Sequence, residues 1–134
     1  GLGRQLTKQE CIQLVIDLDR QGLMHTGDRD WQGRDSIYGF CNCCACDCFP
    51  IRAATRRGLA RQWPLAHHIA VRDEDLCVQC GTCAERCHFD AFYLDEHGLI
   101  AFDPDKCWGC GICSTGCPEG AITMAELTVV PGRE

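Results

Sequence analysis

The chain has 134 residues, 14 of them cysteine, and a formal net charge of −6 from 13 Lys/Arg against 19 Asp/Glu. So many cysteines in a short chain leave two classes, a secreted disulfide scaffold or an intracellular metal protein. Residues 1–10 are polar and charged, without the apolar core of a secretory signal, and no stretch approaches the roughly 18 apolar residues of a membrane span. The expectation is therefore a cytoplasmic chain without a membrane span. The acidic balance excludes nucleic acid as the main partner.

In chain order, Thr7-Lys8-Gln9-Glu10 fits a capping box. Behind it Cys11, Leu14, Val15 and Leu18 recur at i, i+3, i+4 and i+7, which predicts one apolar helix face running to about Leu23. Cys11 sits on that face as a core residue, and Gly22 weakens the last turn. Residues 26–34 read as a polar loop and residues 36–40 as a short strand leading into the first cysteine run. A second helix is expected from about Pro50 to Gln62, with Pro near its start and Pro64 stopping it. It would carry Arg52, Arg56, Arg57 and Arg61 as a basic ridge.

From Val71 onward the chain repeats itself with a period of 30: Cys77, Cys80, Cys83 and Cys87 recur as Cys107, Cys110, Cys113 and Cys117. An acidic turn precedes each block and a short apolar segment follows it, with Glu96-His97-Gly98 as a turn between the two. Repeats this short cannot bury separate cores, so the pair must pack around whatever the cysteines hold.

Each block reads C-x2-C-x2-C-x3-C. Three thiolates at this spacing can surround one cubic cluster while the fourth reaches the other. Cluster I then takes Cys77, Cys80, Cys83 and Cys117, and cluster II takes Cys107, Cys110, Cys113 and Cys87. Over roughly residues 72–125 the pattern resembles the bacterial-type dicluster ferredoxins, most closely at Cys107–Pro118. The resemblance implies two 4Fe–4S clusters and one-electron transfer. Zinc seldom uses eight cysteines at this spacing. The first block departs from the family at His88, where proline usually follows the last cysteine. Gly81, Gly109, Gly111 and Gly116 are expected to let backbone N–H groups approach the sulfurs.

The run Cys41, Cys43, Cys44, Cys46, Cys48 exceeds what a dicluster ferredoxin needs. Its readings are a third iron–sulfur cluster held by four of the five, a zinc site, or reactive thiols. Disulfides are not expected beside clusters that imply a reducing compartment. Gly22-Leu23-Met24-His25 ahead of the C-N-C-C run is similar to an element upstream of ferredoxin domains in multi-cluster proteins of anaerobic bacteria. His25 is a candidate extra ligand there, with His67 and His68 weaker ones.

Residues 1–76 balance ten basic against ten acidic side chains, whereas residues 77–134 hold three against nine. That acidic half suits docking on a basic patch of a redox partner. The expected fold is small α+β, a ferredoxin-like two-cluster domain (69–134) preceded by a helical Cys-rich subdomain (1–68). The function expected is electron transfer, as a carrier or as a module of a larger redox system, with no catalysis by the chain itself. The alternatives are a small reductase whose N-terminal cluster is the active site, and a zinc-stabilised docking module that delivers the ferredoxin to an enzyme.

Overall fold

The computed structural model describes residues 3–29, 37–59 and 67–127. Helix α1 (Lys8–Arg20) starts as expected: the Thr7 side chain accepts from the Glu10 N–H while the Glu10 carboxylate accepts from the Thr7 N–H. It ends earlier than expected. Gly22 adopts φ +80°, the Leu23 N–H reaches the Leu18 carbonyl, and the Gly22 N–H reaches that of Asp19. This is a Schellman stop, so Gly22 terminates the helix rather than weakening it.

The burial expected of α1 is not found. None of its residues is buried, Cys11 is exposed, and Ile12, Leu14 and Ile16 remain 40–49% accessible. The helix meets the rest of the molecule mainly through its C-terminal turn, so amphipathic spacing alone misplaced Cys11 in the core.

Strand β1 (Met24–Arg29) pairs antiparallel with β2 (Ile37–Cys43), Met24 opposite Cys43 and His25 opposite Asn42. Residues 26–29 of β1 thus correct the predicted loop, whose remaining positions 30–34 lie outside the described residues. Cross-strand pairing, invisible to local composition, makes the strand. The N-terminal part is accordingly mixed α and β, not helical, and β2 runs on into the cysteines.

Helix α2 (Phe49–Arg56) has Cys48 at its N-cap and Pro50 in its first turn. Arg57 caps it and Gly58 turns left-handed at φ +68°, so it stops six residues short of Gln62. Arg52 and Arg56 share the helix and Arg57 does not, while Arg61 and Pro64 lie outside the described residues.

The C-terminal part holds β3 (His68–Arg72), α3 (Thr82–Arg86), β4 (Phe92–Leu94), β5 (Ile100–Phe102), a 3-10 turn at Pro104–Lys106, α4 (Ile112–Gly116) and β6 (Ile122–Glu126). β3 pairs antiparallel with β6, and β4 with β5 across the predicted 96–98 turn. His68 pairs with Glu126 at the end of that ladder, and the His67 carbonyl accepts from the Leu127 N–H just beyond it. Its core gathers Ala70, Phe92, Ile100 and Ile122 around Cys83, Cys107 and Cys113. Arg72 ties the two sheets together by donating to the Ile100 carbonyl.

A second core joins the two parts. Met24, Cys48 and Ile51 pack with Ile112, and Cys43, Ala45, Phe89 and Trp108 close around them. Arg86 adds a polar link: its guanidinium donates to the carbonyls of Asp19 (2.7 Å), Arg20 (3.2 Å) and Ile112 (3.1 Å).

Candidate metal centres

The period-30 repeat returns as backbone geometry. Gly81 and Gly111 cap α3 and α4 at φ +87° and +82°, Gln79 matches Gly109 at +59° and +66°, and Asp90 matches Gly120 at +53° and +62°. These left-handed turns coil each cysteine block around a hollow. Gln79 tolerates that conformation while its Oε1 accepts from the Ile100 N–H at 2.8 Å. Gly109 has no such latitude, because a Cβ there would collide with the His68 backbone.

Two small hollows lie among the cysteines of the two blocks. One is lined by Cys77, Cys80, Cys83 and Cys117, the other by Cys87, Cys107, Cys110 and Cys113. The last cysteine of each block thus joins the first three of the other. Equivalent N–H···S bonds turn them inward, from Ala91 to Cys87 at 3.2 Å and from Ala121 to Cys117 at 3.3 Å. Burial pushes the Cys113 thiol up to about 12, helped by the crowding of Cys110, Cys107 and Cys87. Burial also raises Cys83, which Cys77 and Cys80 crowd. Cys80 and Cys110 stay exposed, but thiols as buried and crowded as Cys83 and Cys113 are poor hosts for a bare thiolate and good ligands for a polycationic iron core, which reverses that penalty.

These hollows offer what a cubane needs: four sulfurs apiece and amide donors to sulfur. Residues 70–124 match the family model described as the 4Fe-4S dicluster domain. The C-terminal part is an iron–sulfur domain. No curated protein matches the chain. When bound, 4Fe–4S clusters supply reversible one-electron chemistry, and the cysteines of the dicluster domain are the residues that would hold them.

The two hollows of the dicluster domain differ in their surroundings. Arg86 borders the one containing Cys87, whereas Glu119 borders the one containing Cys117. The period-30 counterpart of Arg86 is Gly116, where a Cβ would collide with the Arg86 side chain. Gly116 and Gly109 therefore serve close packing. Sequence reasoning missed Arg86, and the broken symmetry at 86/116 was the signal that could have found it. His88 breaks the symmetry too. Its Nε2 donates to the Gly22 carbonyl at 2.7 Å, tying the dicluster domain to the stop of α1.

The five-cysteine run is arranged differently from the metal site expected. Cys44 and Cys46 form a disulfide, with Cα atoms 5.3 Å apart, within ordinary disulfide reach. This corrects the expectation that disulfides are absent, and leaves Cys41, Cys43 and Cys48 as free thiols, three instead of four. Cys48 is buried, and burial pushes Cys43 up to about 11, with its hydrogen bond to Cys48 adding to the rise. The Cys44 and Cys46 sulfurs and an Asp47 carboxylate oxygen lie within 4.8 Å of one another.

His25 does not join the run. Strand alternation sets it on the face opposite Met24, Cys41 and Cys43. There it stacks on Phe40 and bonds Asn42 Oδ1 at 2.7 Å. His67 and His68 are exposed at the start of β3. Among the described residues no helix is long and apolar enough to cross a membrane.

Proposed function

We propose that the protein passes single electrons through two 4Fe–4S clusters with crossed ligation. Cys77, Cys80, Cys83 and Cys117 hold cluster I, and Cys107, Cys110, Cys113 and Cys87 hold cluster II. The observation that carries this reading is the sorting of eight cysteines into two hollows, each taking its fourth sulfur from the other block. Crossed ligation makes each cluster a clamp on both halves of the domain and keeps the two centres close. The acidic surplus of residues 77–134 favours a redox partner that presents a basic patch, and the chain acts as a carrier or as a module of a larger oxidoreductase.

Cys87→Ala tests the assignment. Iron analysis and electron paramagnetic resonance on anaerobically prepared protein should show about eight irons in the parent chain. In the variant, the cluster on Cys107, Cys110 and Cys113 should be altered and the other retained. Loss of the signal belonging to Cys77, Cys80 and Cys83 instead would refute crossed ligation.

A further inference from the structure

We propose that Cys44 and Cys46 are a redox-active dithiol–disulfide couple, reduced by electrons from the two clusters and reoxidised by an organic disulfide in the adjoining groove. The proposal rests on the two-cluster reading above.

The disulfide has little structural use. It links residues only two apart, and closing so short a loop restrains the unfolded chain least of all. Disulfides that coexist with reducing chemistry are generally transient and catalytic or redox-sensing.

Its position supports the same role. Cys46 is exposed and lines a groove with Arg52, Arg56, Phe89 and Trp108. Phe89 and Trp108, stacked with ring centroids 5.0 Å apart, also line the hollow of Cys87, Cys107, Cys110 and Cys113. One layer of aromatic side chains therefore separates the disulfide groove from the cluster II cavity. Arg86 beside that cavity favours holding an electron there, on the disulfide side of the molecule. Arg52 and Arg56 give the groove beside Cys46 a basic wall. Cys43 and Cys48 face the second core and do not compete for substrate.

The step balances. The Cys44–Cys46 bond breaks as it takes up two electrons, one from each reduced cluster, and two protons from solvent, leaving two thiols. The Cys46 thiolate then attacks a substrate disulfide and expels one substrate thiolate, forming a mixed disulfide. Cys44 displaces the second substrate thiolate and restores the Cys44–Cys46 bond. The substrate leaves as two thiols once its thiolates take up protons.

The test uses the anaerobically purified, cluster-loaded full chain. Alkylation with iodoacetamide followed by peptide mass mapping should find Cys44 and Cys46 blocked before reduction and alkylated after it. Reductive titration should consume about four electrons per chain, against about two in Cys46→Ser, with Cys41→Ser behaving as the parent. Cys110→Ser, which disturbs cluster II, should slow the appearance of the two thiols. In reduced Cys44→Ser, oxidised glutathione should leave its adduct on Cys46.

Alkylation of Cys44 and Cys46 without reduction would overturn the proposal, as would an uptake of about two electrons by the parent chain. So would zinc, or clearly more than about eight irons, bound to the chain. A glutathione adduct elsewhere, or none, would overturn the exchange step. Failure of the two-cluster reading is separately visible, as fewer than about eight irons whatever the state of the thiols.

Discussion

His88 donates its Nε2 proton to the carbonyl oxygen of Gly22 across 2.7 Å, joining the position after the last cysteine of the first block to the residue that ends α1. The position at which the first block departs from the dicluster pattern is thus one of the positions that fasten the N-terminal part. Proline could not make this bond. His88→Ala should cost about 1 kcal/mol in denaturant unfolding and speed amide exchange around residues 20–24, with both clusters still assembled. Unchanged exchange in that segment would contradict the role.

Arg86 is the stronger fastening. It satisfies three carbonyls, lies 4.0 Å from the Asp19 carboxylate, and its side chain is only 18% exposed. Arg86→Ala should destabilise the protein by about 2–4 kcal/mol, since it removes three hydrogen bonds and the cation that faces the Asp19 carboxylate. Gly116→Ala should cost about 1–3 kcal/mol by pushing into the Arg86 side chain. The double variant should cost less than the sum, because the methyl group then enters vacated space. Additive costs in a denaturation cycle would show that the two positions are not coupled.

Gly109 and Gln79 occupy equivalent places and predict unequal responses. Gly109→Ala adds a Cβ at φ +66° against the His68 backbone and should cost more than about 2 kcal/mol, with loss of iron from cluster II. Gln79→Gly relieves a left-handed side chain but removes the bond to the Ile100 N–H, so its net change should stay within about 1 kcal/mol. Iron content and unfolding midpoints of the two variants check this.

The charges beside the hollows predict an order of potentials. Cluster II, next to Arg86, should be reduced before cluster I, next to Glu119. Glu119→Gln should raise the potential of cluster I and narrow the gap. A spectroelectrochemical titration in which Glu119→Gln widens the gap would contradict this order.

The capping box predicts a pH response of α1. The Glu10 carboxyl is held below its ordinary value of 4.5 first by Arg4 and then by the Thr7 backbone N–H. A depressed folded value means that its contribution is complete above 4.5 and is lost as the pH falls through the folded value. Amide protection factors at the start of α1, taken against the intrinsic exchange rate at each pH, should therefore fall in acid, and Glu10→Gln should flatten that fall.

Much of the site was legible in the sequence because thiolate coordination of a cubane imposes short, repeated spacings on the chain. The two C-x2-C-x2-C-x3-C blocks, their period of 30 and the capping box of α1 all act within a few residues, and local rules reach that far. The early end of α2 is a local stop at Gly58 that the more distant Pro64 had masked, whereas the exposure of Cys11 and the pairing of β1 with β2 were decided by how distant segments meet. So were the bonds of Arg86 and His88 to the end of α1, which span 66 and 67 residues. The fate of the five-cysteine run belongs to the same class. Composition counted its thiols, but the strand running to Cys43 and the second core buried Cys48, left Cys41 exposed, and set the disulfide in a groove that shares Phe89 and Trp108 with the hollow of Cys87, Cys107, Cys110 and Cys113. Spacing tells which sulfurs can meet, and only packing tells which of them meet solvent.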